Sequence, residues 1–244
     1  MNILIGAISL VITFFSVVLA EKFFKKEGLF VWISISTVIA NILVCKNVDL
    51  LGFTTAIGNI LFASNFLATD ILCEKYSKED GKKAIIMAAC SVIVFIITMQ
   101  IALLYIPSSD DISHEAMKTL FTLNLRVSIA SLVMFVVSNM LDIVIYNKIK
   151  EKIAGKMWLR NNVATIVCNS LENYFFSFFA FVGIYEIGLI FQIATVASVI
   201  EIIIAICDTP FLYLAKSKWG RSFLNTWPEL NSTIFKWELN INKF

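Results

Sequence analysis

The chain has 244 residues, of which 59% are hydrophobic and only 16% are charged, and its mean hydropathy is +0.83. Soluble domains typically contain about 45–50% apolar and about 25% charged residues, because polar groups must cover their surface. This composition does not fit a water-soluble fold, and a net charge of +2 gives no reason to expect a nucleic-acid partner. We therefore expect the chain to fold in lipid.

Seven mainly apolar stretches are long enough to cross a bilayer as helices, which takes about 20 residues each. The first of them has no basic segment before it and no small-residue cleavage site after it, so it is predicted to be a span and not a signal peptide. The sequence predicts an all-α membrane protein of about seven transmembrane helices. Their approximate limits are 2–20, 29–45, 53–72, 84–106, 127–147, 163–184 and 189–207.

Positive charge is distributed unevenly between the connections. Of the 20 Lys and Arg residues, 17 lie in 21–28, 73–83, 148–162 and the segment after 207, and only three lie in 46–52 and 107–126. Because Lys and Arg favour the cytoplasmic side, the N-terminus is predicted to lie outside and the C-terminus in the cytoplasm. Spans two to four and five to seven would then form inverted three-helix repeats, each with a polar middle helix.

Two connecting segments have recognisable signals. The outer loop 107–126 opens with a turn and cap pattern from Pro107 to Asp111, which predicts a short helix that either covers the outer face or simply links two spans. The C-terminal tail contains Trp219, Trp227 and Trp237 among basic residues, a composition typical of a segment at the cytoplasmic headgroups.

The third predicted span has a stripe of polar side chains. Asp70 and Glu74 are four residues apart and share a helix face, with Phe66 one turn earlier and Asn65 and Thr69 beside them. Glu74 could also simply mark the cytoplasmic end of the helix, whereas Asp70 lies deeper. We predict that this face contacts a polar solute.

The sixth predicted span is polar along one face, and Arg160 lies just before it at the inner mouth. A charged Glu172 near the bilayer centre would cost about 2.5–3.5 kcal/mol on the insertion scale, so it must face other helices and have a partner. Arg160 can pair with Asp70, Glu74 or Asp142, or it can be one more positive residue of the cytoplasmic side. The polar face recurs at three- and four-residue steps and comprises Asn162, Thr165, Asn169, Glu172, Asn173 and Phe176.

The fifth and seventh spans add further polar groups. Asn139 and Asp142 lie toward the inner end of the fifth span, and Glu201 lies near the middle of the seventh. Four acids alone in lipid would cost about 10 kcal/mol, so an acidic, amide-rich cavity between the helices is expected. The serines at 128, 131 and 138 fit close helix packing better than ligand contacts. The four acids are Asp70, Asp142, Glu172 and Glu201.

The sequence has no motif of enzyme chemistry. Dinucleotide-binding, phosphate-loop, zinc-protease and nucleophile-elbow motifs are all absent. The only histidine, His114, falls in a polar loop, and the five cysteines are scattered singly through apolar runs. We expect no enzyme activity, no cofactor and no metal site.

Several separated motifs support a family resemblance. They are the run from Ser64 to Tyr76, then Arg126, Asp142, the run Trp158–Asn162, Thr165, and the segment Ala180–Gly183. These motifs resemble those of the queuosine precursor transporter family, also called the VUT family, over roughly residues 30–215. The resemblance implies uptake across the plasma or inner membrane of 7-deazaguanines that supply queuosine for tRNA modification: preQ0, preQ1, queuine or queuosine.

The chain departs from the family pattern in three places. Ser77 stands where the family commonly has Gly, and Glu172 stands where it commonly has Asp. The second change lengthens a predicted ligand by one methylene group. The additional first span also has no counterpart in the family pattern.

The resemblance implies roles for the polar residues. A deazaguanine ring offers N1–H and a 2-amino group to a carboxylate, O6 to an amide or Arg, and a face for stacking on Phe66, Tyr174 or Phe176. We assign Glu172 to the guanine-like edge, Asn65 and Asn169 as amide partners, Asp70 and Glu74 to a cationic substituent or a proton, and Arg160 as counter-ion or gate. The full predicted site is Asn65, Phe66, Asp70, Glu74, Asp142, Arg160, Asn162, Asn169, Glu172, Asn173 and Phe176.

The sequence thus predicts three parts: an extra N-terminal helix with its inner loop (1–28), a transporter core of six helices (29–214) and a cytoplasmic interfacial tail (215–244). The main alternative is a substrate-binding subunit of an energy-coupling-factor vitamin importer, which needs a separate ATPase. An intramembrane protease lacks its GxGD context, and a scaffold would not need four costly acids. Homodimer formation and a coupling proton or cation are left open.

Overall fold

The computed structural model describes residues 1–43, 46–50, 53–121, 125–153 and 155–217. Within these residues the fold is helical apart from one β-hairpin. Four helices are long and apolar enough to cross a membrane: α1, α3, residues 129–152 of α5, and α7. The predicted class of α-helical membrane protein is confirmed. The elements are α1 (Asn2–Leu43), β1 (Asn47–Leu50), β2 (Phe53–Ala56), α2 (Asn59–Lys75), α3 (Lys78–Leu104), α4 (His114–Phe121), α5 (Leu125–Lys152), α6 (Met157–Phe181) and α7 (Ile187–Lys216).

Helix α1 is a hairpin that folds back on itself at Lys25. The backbone of Lys25 leaves the helical region, with φ 59° and ψ −139°. A straight helix of 42 residues would be about 63 Å long, yet the Asn2 side chain donates to the carbonyl oxygen of Asp49 at 3.2 Å. Two antiparallel arms, 2–24 and 26–43, therefore stand where the sequence predicts two spans. The predicted inner loop 21–28 is reduced to a tight turn.

The turn of α1 depends on a glycine. An added Cβ on Gly28 would lie 2.2 Å from the carbonyl oxygen of Ala20 in the other arm, a backbone atom that cannot move aside. Gly28 is thus the point of closest approach between the arms.

We expect Gly28→Ala to lower the free energy of unfolding by about 1–3 kcal/mol, because the new methyl group forces the arms apart. Thermal unfolding of the purified protein in detergent measures the change. Gly188→Ala is the matched control, since nothing lies within 4 Å of its added Cβ and it gains the same helix propensity. Equal melting temperatures for the two variants would contradict the steric argument.

The third predicted span, 53–72, is wrong at its start. Residues 53–56 form β2, which pairs antiparallel with β1 so that Asn47 lies opposite Ala56, and α2 begins only at Asn59. The misassigned segment contains a phenylalanine and two threonines, types that suit a strand, and a short apolar run does not by itself distinguish strand from helix. At its other end α2 continues past 72 to Lys75.

The loop predicted to lie outside, 107–126, contains the predicted short helix, α4. Its start is stabilised by Asp111, whose Oδ1 accepts from the backbone N–H groups of Ser113 at 2.8 Å and His114 at 3.2 Å. Hydrogen bonds donated by Ser113 hold the pKa of Asp111 below its usual value. Gln100 of α3 donates to the carbonyl oxygen of Phe121 at 2.7 Å. Helix α4 is therefore fixed against α3.

The last three helices extend further toward one end of the molecule than hydropathy predicts. Helix α5 runs to Lys152, α6 starts at Met157, and α7 continues through Pro210 to Lys216. The added turns supply Lys150, Arg160 and Lys216 to the ion cluster described below, which stabilises them. At the opposite end α6 stops at Phe181, just before Gly183 with its φ of 82°. The tail with Trp219, Trp227 and Trp237 lies outside the described residues, as does the side chain of Arg126.

Helix α2 occupies the centre of the bundle. It is buried without interruption from Ala63 to Cys73, whereas α3 exposes apolar side chains such as Ile86, Val94 and Ile101. Exposed apolar side chains are expected where lipid is the solvent. Because α2 is enclosed by other helices, its polar residues must be satisfied by their neighbours or by a ligand.

Candidate functional site

A cleft with a cavity volume of about 90 Å³ lies between α2, α5, α6 and α7. Five of the predicted residues line it: Phe66, Asn169, Glu172, Asn173 and Phe176. The structure thus brings Phe66 of α2 and four predicted residues of α6 together in one cleft.

Residues that are not among the predicted site residues also line the cleft. Asn59, Phe62 and Ala63 of α2 also line it, at helical spacing from Phe66. They lie within the predicted third span, so helical spacing from Phe66 is the signal that could have identified them. The sequence analysis predicts Glu201 only to be an acid that is costly to place in lipid, and Ser131 only to pack between helices. The five additional lining residues are Asn59, Phe62, Ala63, Ser131 and Glu201.

Each of the two carboxylates in the cleft is fixed by one hydrogen bond. Ser138 donates to Oε2 of Glu172 at 2.5 Å, and Asn173 donates through Nδ2 to Oε2 of Glu201 at 2.6 Å. Ser138 thus makes a polar contact beyond the helix packing expected of it. Oδ1 of Asn169 is buried with no hydrogen-bond partner among the described residues. The cleft offers acceptors that are held in place and still available to a ligand.

Aromatic rings supply the apolar wall of the cleft. Phe62 and Phe66 reach it from α2, and Phe176 reaches it from α6. Tyr174 does not line the cleft: its hydroxyl lies 2.8 Å from Oγ1 of Thr195, on α7. A planar ligand in the cleft would therefore stack on the phenylalanine rings.

Asn65 lies outside the cleft and joins α2 to α1. Its Oδ1 accepts from Ser36 at 2.6 Å, and its Nδ2 donates to Thr37 at 3.0 Å. Asn162 is likewise occupied elsewhere, since its Nδ2 donates to the carbonyl oxygen of Trp158 at 2.9 Å and to Oγ1 of Thr209 at 2.8 Å. Both amides hold helices together.

A second group of polar residues, the acid layer, lies below the cleft. Asp70, Asp142 and Asp208 meet there from α2, α5 and α7, and each is almost fully buried. The carboxyl groups of Asp70 and Asp142 are close enough to interact electrostatically. Thr165 donates to Asp142 at 3.5 Å, and Asn161 donates to Asp208 at 2.6 Å. Asp70 and Asp142 are thus brought together but do not line the cleft.

A third group, the ion cluster, surrounds Glu74. Its carboxylate accepts from Arg160 at 2.5 Å, from Lys216 at 2.5 Å and from the Tyr146 hydroxyl at 3.1 Å, with Lys150 at 3.5 Å. Of the three partners considered for Arg160, the geometry selects Glu74. The cluster joins the polar ends of α2, α5, α6 and α7. The guanidinium of Arg160 also lies over the Tyr146 ring, 5.5 Å from its centroid.

The fold is that of an α-helical membrane protein with a polar cleft between its helices. A family model described as "putative vitamin uptake transporter" matches residues 56–215. The "probable queuosine precursor transporter" of Bacillus subtilis (strain 168) is 36% identical over 208 residues, which cover 84% of this chain and 91% of that protein. No solved structure matches the chain.

The chain belongs to the vitamin uptake transporter (VUT) family, and the resemblance seen in its motifs is confirmed. Membership places it among the multi-pass transporters of the cell membrane and not among enzymes.

Proposed function

We propose that this chain imports 7-deazaguanine precursors or salvage products of queuosine (preQ0, preQ1, queuine or queuosine) through the cleft. The observation that supports this most directly is the presence of two positioned carboxylates, Glu172 and Glu201, beside Asn173 and the ring of Phe66. The name of the Bacillus subtilis relative points to the same substrate class. Imported substrate would supply the modification of tRNA.

The cleft matches the hydrogen-bonding edge of a deazaguanine. Glu172 accepts from N1–H and the 2-amino group, while an amide of Asn169 or Asn173 faces O6. Phe66 and Phe176 stack against the faces of the deazaguanine ring. Because Asp70 and Glu74 lie outside the cleft, Glu201 is the carboxylate that would meet a cationic aminomethyl group, as in preQ1.

Uptake by the purified chain in liposomes tests this proposal. Radiolabelled preQ0 should enter vesicles that contain the chain alone, and unlabelled preQ1 or queuine should compete, whereas riboflavin should not. Protein-free vesicles are the control. Absence of both uptake and binding of all deazaguanines would refute the proposal. Binding without uptake until an ATPase module is added would favour the energy-coupling-factor alternative.

We further propose that the chain crosses the membrane seven times, with the N-terminus outside. The two arms of α1 and helices α2, α3, α5, α6 and α7 supply the crossings, and the ion cluster marks the cytoplasmic end. The second arm of α1 with α2 and α3 would form one inverted repeat, and α5 to α7 the other.

An epitope inserted after Ser108 is expected to bind antibody on intact protoplasts, and one inserted after Gly155 only after permeabilisation. Both sites are exposed and lie between helices, so neither insertion should disturb packing. Retained uptake of preQ0 serves as the folding control for each insertion. Antibody access to the Gly155 epitope from outside would reverse the proposed topology.

A further inference from the structure

The cleft, the acid layer and the ion cluster follow one another along the same helices. On α2 the three groups are represented by Phe66, Asp70 and Glu74, four residues apart. Four residues of helix rise about 6 Å, so each group lies about one turn below the last. The same order of cleft, acid layer and ion cluster recurs along the other three helices. The residues are Ser138, Asp142 and Tyr146 on α5; Asn169, Thr165 and Arg160 on α6; and Glu201, Asp208 and Lys216 on α7.

Among the described residues, neither the acid layer nor the cleft contains a cation, whereas Glu74 in the ion cluster pairs with Lys150, Arg160 and Lys216. None of the ion pairs among the described residues involves Asp70, Asp142 or Asp208. Both carboxyl oxygens of Asp70 are buried without a hydrogen-bond donor, and so is Oδ1 of Asn161, whose amide nitrogen donates to Asp208. The acid layer therefore lacks the positive charge that would balance its buried carboxylates.

A proton supplies that charge with the least rearrangement. Neighbouring carboxylates that are fully buried with no cation beside them cannot both remain ionised, so the pair of Asp70 and Asp142 holds a proton. Among the described residues no group of three His, Cys, Asp or Glu side chains has the geometry to hold a metal ion. The titratable groups that act on Asp70 come from its own helix and from α5, α6 and α7: Cys73, Asp142, Tyr146, Cys168 and Asp208.

The position of the pair links it to both neighbours. One turn above Asp142, Ser138 donates to Glu172 in the cleft, and one turn below, Tyr146 donates to Glu74 in the ion cluster. A ligand on Glu172 and the opening of the ion cluster therefore both act on the helix that positions Asp142. Such a link is what coupled transport requires.

We infer that the Asp70–Asp142 pair is the proton-binding site of the transporter and that one proton enters the cell with each substrate molecule. This inference rests on the proposed function. The proton passes from external water through the cleft to a carboxylate oxygen of the pair, and it leaves to cytoplasmic water when the ion cluster opens. With a neutral substrate each cycle moves one positive charge inward.

Proteoliposomes containing the full chain separate this inference from the proposed function. Exchange of internal for external labelled preQ0 needs no driving force and reports on the substrate site. Net accumulation under an imposed pH gradient, with the membrane potential clamped at zero, reports on coupling. A gradient of one unit, acid outside, is expected to give about tenfold accumulation in the wild type, since one proton per substrate transmits a tenfold concentration ratio.

Asp70→Asn and Asp142→Asn are expected to retain exchange within about twofold and to lose accumulation, with inside and outside concentrations about equal. Glu79→Gln, an exposed carboxylate on α3, is the matched control and should accumulate like the wild type. A pH-sensitive dye outside unbuffered vesicles should report alkalinisation with substrate for the wild type and the control only.

Two results would overturn the inference while leaving the proposed function intact: exchange without accumulation in the wild type, or wild-type accumulation in both Asn variants. Loss of exchange in both Asn variants, with correctly folded protein by thermal unfolding, would also overturn it, because the pair would then belong to the substrate site. No exchange and no binding in the wild type would mean that the proposed function itself has failed.

Discussion

Glu172→Gln is expected to weaken deazaguanine binding by about 10- to 150-fold. A hydrogen bond to a charged group contributes about 1.5–3 kcal/mol, and each 1.4 kcal/mol is a tenfold change in affinity. In the variant an NH₂ group replaces one acceptor and faces the N1–H and 2-amino donors of the ring. Ser138 already fixes Oε2, so the amide cannot turn away without losing that bond.

Equilibrium binding of labelled preQ0 to protein in detergent measures the effect. Glu172→Asp is the informative companion, because Asp is the residue that the family commonly has here, and it should bind within a few-fold of the wild type. Glu115→Gln on α4 is the control, since Glu115 is 82% exposed and pairs only weakly with Lys118. Wild-type affinity in Glu172→Gln would remove this carboxylate from the site.

Glu74→Gln is expected to lower the free energy of unfolding by about 3–5 kcal/mol and to abolish tight closure at the ion cluster. Removing one partner of a buried ion pair leaves the other charge uncompensated, which is what makes such a loss large. Arg160 is 2% exposed and has Glu74 at 2.5 Å. Lys216 is 55% exposed and contributes much less, because water screens its charge.

Thermal unfolding in detergent measures this change, with Glu79→Gln as the matched control. Glu79 pairs with Lys82 at 3.0 Å but is 76% exposed, so its loss should cost less than about 1 kcal/mol. The double variant Glu74→Gln/Arg160→Met should recover part of the stability, because the buried charge is then gone as well. If Glu74→Gln unfolds at the same temperature as Glu79→Gln, the ion cluster does not stabilise the fold.

Helical periodicity alone predicts much of the cleft. Phe66 on one helix and Asn169, Glu172, Asn173 and Phe176 on another do line a common space. The reason is that an acid or amide in a membrane helix must turn away from lipid, so its helix face is determined by its spacing alone. The same spacing extends to Asn59, Phe62 and Ala63, which lie within the predicted third span but are not among the predicted site residues.

Depth along a helix is harder to predict than the face. Asp70 and Glu74 share a face with Phe66, and the sequence predicts a single site for all three, yet each belongs to a different group. Spacing gives the distance between side chains on one helix, but it does not tell which residues of the neighbouring helices lie at each level. Asn65 shows the same limit, since its partners Ser36 and Thr37 are in α1.

The sequence by itself determined the helical membrane class, the family, and the two helices whose polar faces meet. Those properties follow from composition, period and motif, which are local to the chain. Only the tertiary structure decided that Arg160 pairs with Glu74, that Ser138 holds Glu172, and that the α1 hairpin turns at Lys25. Partners far apart in sequence are selected by how helices pack, and no spacing along a single helix contains that information.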